Sequence, residues 1–258
     1  MTNKKVYFLS DFHLGIPNSE DSLKREKIIV SWLDSIKNET SKIFLLGDIF
    51  DFWFEYNKVI PKGYSRLLGK LAELTDSGVE INYFRGNHDL WTFNYFEKEL
   101  NIKMYDNPLI LNIDGLNLFL AHGDGLGPKD YGYKLLKKVF KCKINQIIFK
   151  ILHPDIGIAL ALFWSGRSRK LNNKREILNN EIEKERLVAF SKEYLKKNNN
   201  INYFIFGHRH KADYIKLNEN SFYINLGDWI NNFSFAVLND KKIVLKKINI
   251  KTLEILDI

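Results

Sequence analysis

Val6-Tyr7-Phe8-Leu9-Ser10-Asp11-Phe12-His13 is an apolar run that ends in an acid and an imidazole two residues apart. A short run rich in aromatic and branched residues, bounded by polar ones, reads as a buried strand. Alternate side chains of an extended chain share a face, so Asp11 and His13 face the same way where the strand curls into its loop. The pattern returns four times. Residues 43–47 lead into Gly47-Asp48-Ile49-Phe50-Asp51, and 81–85 into Gly86-Asn87-His88-Asp89. Residues 116–121 lead into His122-Gly123-Asp124, and 203–207 into Gly207-His208-Arg209-His210. Five of the six histidines lie in these strand-end motifs.

Further runs of strand character occupy 109–113, 222–226, 233–238 and 242–248, and Asn112-Ile113-Asp114-Gly115-Leu116 reads as a hairpin with an Asp-Gly turn. Helix-period segments lie between the early runs, at 20–37 and 64–77. Strand–helix alternation followed by a mostly strand C-terminal part predicts an α+β chain of two stacked mixed sheets flanked by helices.

The 258 residues suffice for one substantial core, so a single domain, 1–258, is expected. Cys142 is the only cysteine, which excludes an intramolecular disulfide and points to a reducing compartment. The first strand begins too early to leave room for a signal peptide. The longest apolar stretch, 144–164, is interrupted by Lys150, His153, Pro154 and Asp155 and reads poorly as a membrane span. A cytoplasmic protein, at most attached to a membrane surface, is the expectation.

One segment breaks the rhythm. Between Lys134 and Arg175 stand eleven basic residues and one acid, Asp155, so the segment carries +10 while the whole chain carries +8. Leu135, Leu136, Val139, Phe140, Ile144, Ile147, Ile148, Ile151 and Leu152 recur among those charges at helical spacing, and a second apolar helix is predicted from Ile156 to Trp164. With Pro154 at the corner, residues 131–175 read as a basic, apolar helical hairpin inserted into the domain.

The strand-end motifs supply imidazoles, carboxylates and one amide oxygen, the ligand mix for two hard-to-borderline divalent metals. No thiolate takes part, which argues against a structural zinc site and for a hydrolytic metal pair. Glycine before Asp48 and before Asn87 lets each loop approach closely. His208 and His210 alternate around Arg209, so both rings can enter one cavity. Any one of these motifs alone would be an ordinary loop.

In this order, Asp-x-His, Gly-Asp-x-x-Asp, Gly-Asn-His-Asp, His-Gly-Asp and Gly-His-x-His, the chain resembles the calcineurin-like metallophosphoesterases from Asp11 to His210. The resemblance implies a four-layer αββα sandwich with a dinuclear centre at the strand ends. It places Asp11, His13 and His210 with Asp48 on one metal, and Asp48 with Asn87, His122 and His208 on the second. Two divalent ions, Mn²⁺ first and Fe or Zn as other occupants, would make water a nucleophile and neutralise phosphoryl charge. His88 would protonate a leaving oxygen or donate to a phosphate oxygen, with Asp89 either orienting it or capping the loop. Asp51 is expected to support its loop and Asp124 to buttress His122.

The hairpin directly after His122-Gly123-Asp124, with Asp130-Tyr131-Gly132-Tyr133 opening its first helix, is similar to one branch of that family. Those enzymes cleave the pyrophosphate of UDP-2,3-diacylglucosamine in lipid A synthesis, giving UMP and 2,3-diacylglucosamine 1-phosphate. This likeness implies a lid over the metals that holds acyl chains. It also implies an anionic membrane surface as partner, on the inner face of a Gram-negative inner membrane. Substrate contacts are implied at Asn87, His88, Asp130, Ser168, Asn172, Arg175 and His208. Phe52, Trp53, Trp91 and Trp164 either line the pocket or belong to the core.

There are departures. That branch reads Gly-Asn-Arg-Asp where His88 stands here, and commonly has Lys where Arg175 stands. An arginine is a fixed cation, whereas histidine is an acid or a neutral donor, so a paralogue with another substrate stays open. Two rivals remain. A soluble phosphoesterase acting on a nucleotide, cyclic nucleotide or phosphoprotein would be indifferent to acyl chains. A non-catalytic binder of anionic lipid or nucleic acid would not need an intact ligand set.

Overall fold

The computed structural model describes residues 4–127 and 131–258, with the backbone alone for 167–185. β1 (Lys5–Leu9) sends Val6 and Phe8 to one face and Tyr7 and Leu9 to the other, and both faces are buried. A strand apolar on both faces belongs in the middle of a layered fold. The chain continues as α1 (Ser19–Ile36), β2 (Thr40–Leu45), α2 (Ser65–Asp76), β3 (Glu80–Phe84), α3 (Tyr95–Leu100), β4 (Lys103–Tyr105), β5 (Leu109–Ile113) and β6 (Leu116–Ala121). Three helices follow, α4 (Tyr131–Lys141), α5 (Lys143–Ile151) and α6 (Pro154–Lys197). The chain closes with β7 (Tyr203–Phe206), β8 (Ala212–Lys216), β9 (Phe222–Leu226), β10 (Ser234–Asn239), β11 (Lys242–Ile248) and β12 (Ile255–Asp257).

Among the described residues the strands form two mixed sheets, ordered β12-β11-β10-β1-β2-β3-β4 and β5-β6-β7-β9-β8. Val6, Phe8 and Phe44 of the first sheet meet Leu120, Ile205 and Ile224 of the second in a core between them. On the outer face of the first sheet, Trp32 and Leu33 of α1, Leu71 of α2 and Phe96 of α3 pack against Tyr7 and Leu45. On the outer face of the second, Leu187 and Leu195 of α6 pack against Phe119, Phe204 and Tyr223. The four-layer αββα sandwich is thereby confirmed.

β1 to β4 run parallel, as do β6, β7 and β9. Leu9 is level with Leu45, and Leu45 with Tyr83, so the loops that follow leave the sheet at the same height. Ligands of open sheets gather outside the carboxyl ends of such strands.

The inserted segment differs from the hairpin expected. The helix from Lys134 does not run through to Leu152. It stops at Lys141, and Cys142 has an extended backbone (ψ 120°) before α5. The freed carbonyls at the end of α4 are taken by side chains. Asn145 donates to Val139 O at 2.8 Å, and Gln146 and Trp91 donate to Phe140 O at 3.1 and 2.8 Å. The helix after Pro154 ends neither at Trp164 nor at Arg175. It continues to Lys197, so one helix opens in the insertion and closes in the outer layer of the sandwich.

Candidate metal centre

Two glycines set how closely the loops after β2 and β3 approach. A Cβ on Gly47 would lie 2.8 Å from the backbone of Gly86 and 2.7 Å from His122 Nδ1, and Gly47 itself has φ +86°. Only glycine fits there. The contact brings Asp48 beside the following loop, where its Oδ1 accepts from His88 N at 2.9 Å.

Asp11, His13, Asp48, His208 and His210 all have positive φ, between 43° and 70°. Non-glycine residues enter this region at a cost of about 1–3 kcal/mol each, and do so where the surroundings over-determine them. Here the surroundings are visible. Asp11 N donates to Gly47 O and His13 N to Asp48 O, both at 3.0 Å. Asp11 Oδ2 accepts from His208 N at 2.9 Å, and Arg25 donates to His13 O at 2.6 Å.

The side chains converge. His13 Nε2 and His210 Nε2 are 3.0 Å apart, and Asp11 Oδ1 lies 3.3 Å from His210 Nε2 and 3.6 Å from His13 Nε2. Asp48 Oδ2 stands 3.7 Å from His13 Nε2 and 3.3 Å from His122 Nε2, between the two halves. His122 Nε2 is 3.1 Å from Asn87 Oδ1. Donor atoms of Asp11, His13 and His210, and those of Asp48, His122 and His208, lie within 4.8 Å of one another in each set. A third set of that kind is His13, Asp51 and His88.

Asp11 Oδ1 is buried with no donor aligned on it. An orphaned carboxylate oxygen among ring nitrogens is a binding position for a cation. Electrostatics agree. Burial alone would discharge His13 and His122, yet Asp11, Asp51 and Asp48 hold the first, and Asp48 with Asp11 the second, charged up to about 10. Burial opposes charge on Asp48 and Asp11 as well, but the surrounding imidazoles keep both carboxylates ionised, well below the usual range. His208, buried and beside the charged His122, is pushed down to about 4 and offers a lone pair. These residues fit a pair of divalent metals.

Around them the sequence reading needs revision. Asp89 does not reach His88. It accepts from Gly86 N at 2.7 Å, Ile49 N at 2.8 Å and Tyr83 Oη at 2.5 Å, which ties the loops together and makes it a loop cap. Burial beside Asp48 raises its carboxyl to about 6. Nor is Asp124 bonded to His122. It receives Tyr133 Oη and Lys137 Nζ of α4, both at 2.5 Å, and His122 Nδ1 instead donates to Leu46 O at 2.7 Å. A carbonyl only accepts, so it fixes the tautomer and leaves Nε2 for Asp48 and Asn87.

His88 Nδ1 lies 3.0 Å from Asp51 O and 3.1 Å from Ser165 Oγ of α6. The carbonyl again places the proton on Nδ1. Burial, reinforced by the charge on His13, lowers the pKa of His88, so the neutral ring has no proton on Nε2. Asp51 Oδ1 is 3.5 Å from both His13 Nδ1 and His88 Nδ1, and its Oδ2 accepts from Ser165 at 3.0 Å. Trp53 is core, packed on Phe50 and Phe96, while Phe52, Phe54 and Trp91 form the seat for Phe149 of α5. Trp164 is exposed. Asp130, Ser168, Asn172 and Arg175 lie outside the described residues and side chains.

Two further residues were absent from the sequence reading. Ser165 carries no motif. Asp228 does: Leu226-Gly227-Asp228 repeats the Leu46-Gly47-Asp48 pattern after another parallel strand. Its Oδ2 stands 3.7 Å from His210 Nδ1 while Oδ1 accepts three backbone N–H groups, those of Ile230, Asn231 and Asn232.

A four-layer sandwich whose parallel strand ends gather carboxylates, imidazoles and an amide around one point defines a phosphoesterase of the metal-dependent kind. A family model described as Calcineurin-like phosphoesterase matches residues 4–212, and the chain belongs to that family. It is a hydrolase of a class that works with divalent metals. Among its relatives, UDP-2,3-diacylglucosamine hydrolase of Porphyromonas gingivalis is 36% identical over 94% of this chain and 97% of its own. The protein of that name from Histophilus somni is 26% identical over 88% of this chain and 92% of its own. Of solved structures, Yfce, a phosphoesterase from E. coli, aligns at a TM-score of 0.46 and 15% identity over 97% of this chain and 96% of that one.

Proposed function

We propose that this chain hydrolyses the pyrophosphate of UDP-2,3-diacylglucosamine to UMP and 2,3-diacylglucosamine 1-phosphate. Asp11, His13, Asp48 and His210 hold one divalent metal, and Asp48, Asn87, His122 and His208 hold the second. Manganese suits this oxygen–imidazole set. Bound there, the metals lower the pKa of water and neutralise phosphoryl charge. Asp48 and Asp11 stay ionised, His122 is fixed by Leu46 O, and Asp51 orients both His13 and His88. A neutral His88 has no proton to give at Nε2. The departing sugar 1-phosphate needs none, because a phosphate monoester ionises with a second pKa of about 6. That suits an anhydride better than an alkyl ester, whose leaving oxygen requires protonation.

The observation that carries the substrate is the lid. α4 is moored by Lys137 and Tyr133 to Asp124, the residue two past His122, and α6 reaches Asp51 and His88 through Ser165. α5 and α6 expose Ile144, Ile147, Ile151, Phe163 and Trp164 among lysines. Apolar and cationic side chains over a hydrolytic site suit an acylated anion at an anionic membrane surface. The name of these relatives, UDP-2,3-diacylglucosamine hydrolase, supports the same substrate, and the site of action in this reading is the inner face of a Gram-negative inner membrane. No helix, among the described residues, is long and apolar enough to cross a membrane, so attachment would be peripheral.

The test is manganese-dependent release of UMP from UDP-2,3-diacylglucosamine, with UDP-N-acetylglucosamine alongside and Asp48→Ala as the blank. Cleavage of the acylated compound alone is the expected result. Cleavage of neither, with turnover of a simple phosphodiester, would leave the hydrolase and remove this substrate.

A further inference from the structure

The inserted segment carries lysines beside a cavity as well as exposed apolar side chains. Between α4 and the loops after β3, β4 and β6 lies a cavity of about 700 Å³ that begins at His122 and Gly123. One wall is apolar, built from Phe84, Tyr105 and Leu126, with the Phe84 and Tyr105 rings stacked 4.9 Å apart. The other carries Leu135 and lysines at successive turns of α4. Lys137 is committed to Asp124, and Arg85 to Asp106 and the carbonyls of Thr92 and Phe93. Lys138 has no ion pair among the described residues, and Lys141 is no closer than 4.0 Å to Asp106. Two ammonium groups thus face the cavity, that of Lys138 without an ion pair among the described residues and that of Lys141 at the far edge of contact with Asp106 Oδ1.

We propose that this cavity seats the nucleoside monophosphate half of the substrate, with Lys138 and Lys141 meeting its phosphate and the Tyr105 wall meeting the base. The proposal rests on the reading of the substrate as an acylated nucleoside diphosphate sugar. His122 lies beside Asp48 at one end of the donor cluster, so a phosphoryl group held there has its next substituent at the cavity mouth. An acyl chain gains nothing from ammonium groups that it would have to desolvate. A ribonucleotide uses both walls: charged hydrogen bonds to phosphate and a ring face for a planar base. The acyl chains are left the exposed Ile147, Ile151 and Phe163, which do not line this cavity.

The probe is UMP as an inhibitor of bis(p-nitrophenyl) phosphate hydrolysis, with uridine and inorganic phosphate as separate arms. Lys138→Gln/Lys141→Gln should weaken UMP inhibition at least about tenfold, the order expected for losing a charged hydrogen bond. Leu135→Trp, which fills the cavity from an exposed position without altering charge, should weaken it likewise. Both variants should retain the wild-type kcat on the diester, which certifies the fold and the metals. Unchanged UMP inhibition in both would overturn the proposal, as would phosphate inhibiting as strongly as UMP. Because this readout uses a simple diester, it stands apart from the lipid assignment. Failure of the acylated UDP-sugar to react, with UMP inhibition still sensitive to Lys138 and Lys141, would remove that substrate and keep the nucleotide cavity.

Discussion

Asp228 shows how a residue shapes this site without belonging to a ligand motif. One carboxylate oxygen closes the turn after β9, and the other faces His210 Nδ1 at 3.7 Å, directing the opposite nitrogen toward Asp11. Removing such an orienting partner commonly costs 10–100-fold in metal affinity. Asp228→Ala should therefore lower affinity for manganese by about that factor in a competition titration, whereas an unaltered affinity would leave the residue a turn cap only. Protonation adds a second residue-level expectation. His13 and His122 are raised to about 10 in the metal-free fold, so the stability they contribute is full below the ordinary histidine pKa and is lost as pH climbs through 10. Asp11 and Asp48, lowered, and His208, lowered to about 4, contribute steadily above pH 7. Metal ligation needs neutral rings and escapes that loss. The gap in Tm between manganese-loaded and chelator-treated protein should widen from pH 7 to pH 10, and a constant gap would contradict the charged state of these two rings.

Helices α4 and α5 are held to the sandwich by a few contacts and otherwise face outward. Phe149 of α5 sits 4.7 Å from both Phe54 and Trp91, and Trp91 also donates to the end of α4. Phe149→Ala should free the lid while sparing the sandwich, at less than the roughly 3–5 kcal/mol of a fully buried Phe→Ala change. Limited proteolysis should then cut within 131–152 much faster than in wild type, with little change in global Tm. The insertion was legible as basic and helical, but its break at Cys142 was not. Ile144, Ile147, Ile148 and Ile151 continue the apolar period of α4, whereas one of the donors that meets the end of the helix is Trp91, 49 residues earlier. Strands with a continuous apolar or alternating run could be read directly, since β5, β6, β9 and β11 have the bounds expected. Three of the four edge strands, β4, β8 and β12, are missing from that reading. They are short and partly exposed, and their ends depend on neighbours. The same division holds in the site. Residues whose chemistry is written in strand-end motifs were found, whereas Ser165, brought by the lid, had no local signature.

Across the whole molecule, charge and apolar surface are segregated to the inserted segment. It carries +10 from Lys134 to Arg175, leaving −2 for the rest, although the chain as a whole is +8. The exposed large apolar side chains concentrate there too, with Ile151 80% and Trp164 66% exposed. A patch of this kind, beside lysines, is the expected footprint of a surface that docks on anionic lipid. Each basic residue near such a surface contributes about 1 kcal/mol, and the attraction fades within a Debye length of about 8 Å at physiological salt. Two contributions can therefore be separated. Binding to phosphatidylglycerol-containing vesicles should weaken steeply as salt rises, while binding to purely zwitterionic vesicles should be weak throughout. Replacing Ile147, Ile151, Phe163 and Trp164 with Ser or Gln removes the apolar part and leaves the charge. That variant should lose vesicle co-sedimentation at physiological salt and turn over vesicle-borne acylated substrate slowly, yet hydrolyse a water-soluble diester at the wild-type rate. Equal losses on both substrates would mean that these side chains hold the lid in place and do not meet lipid. Wild-type co-sedimentation of the variant would assign attachment to the lysines alone.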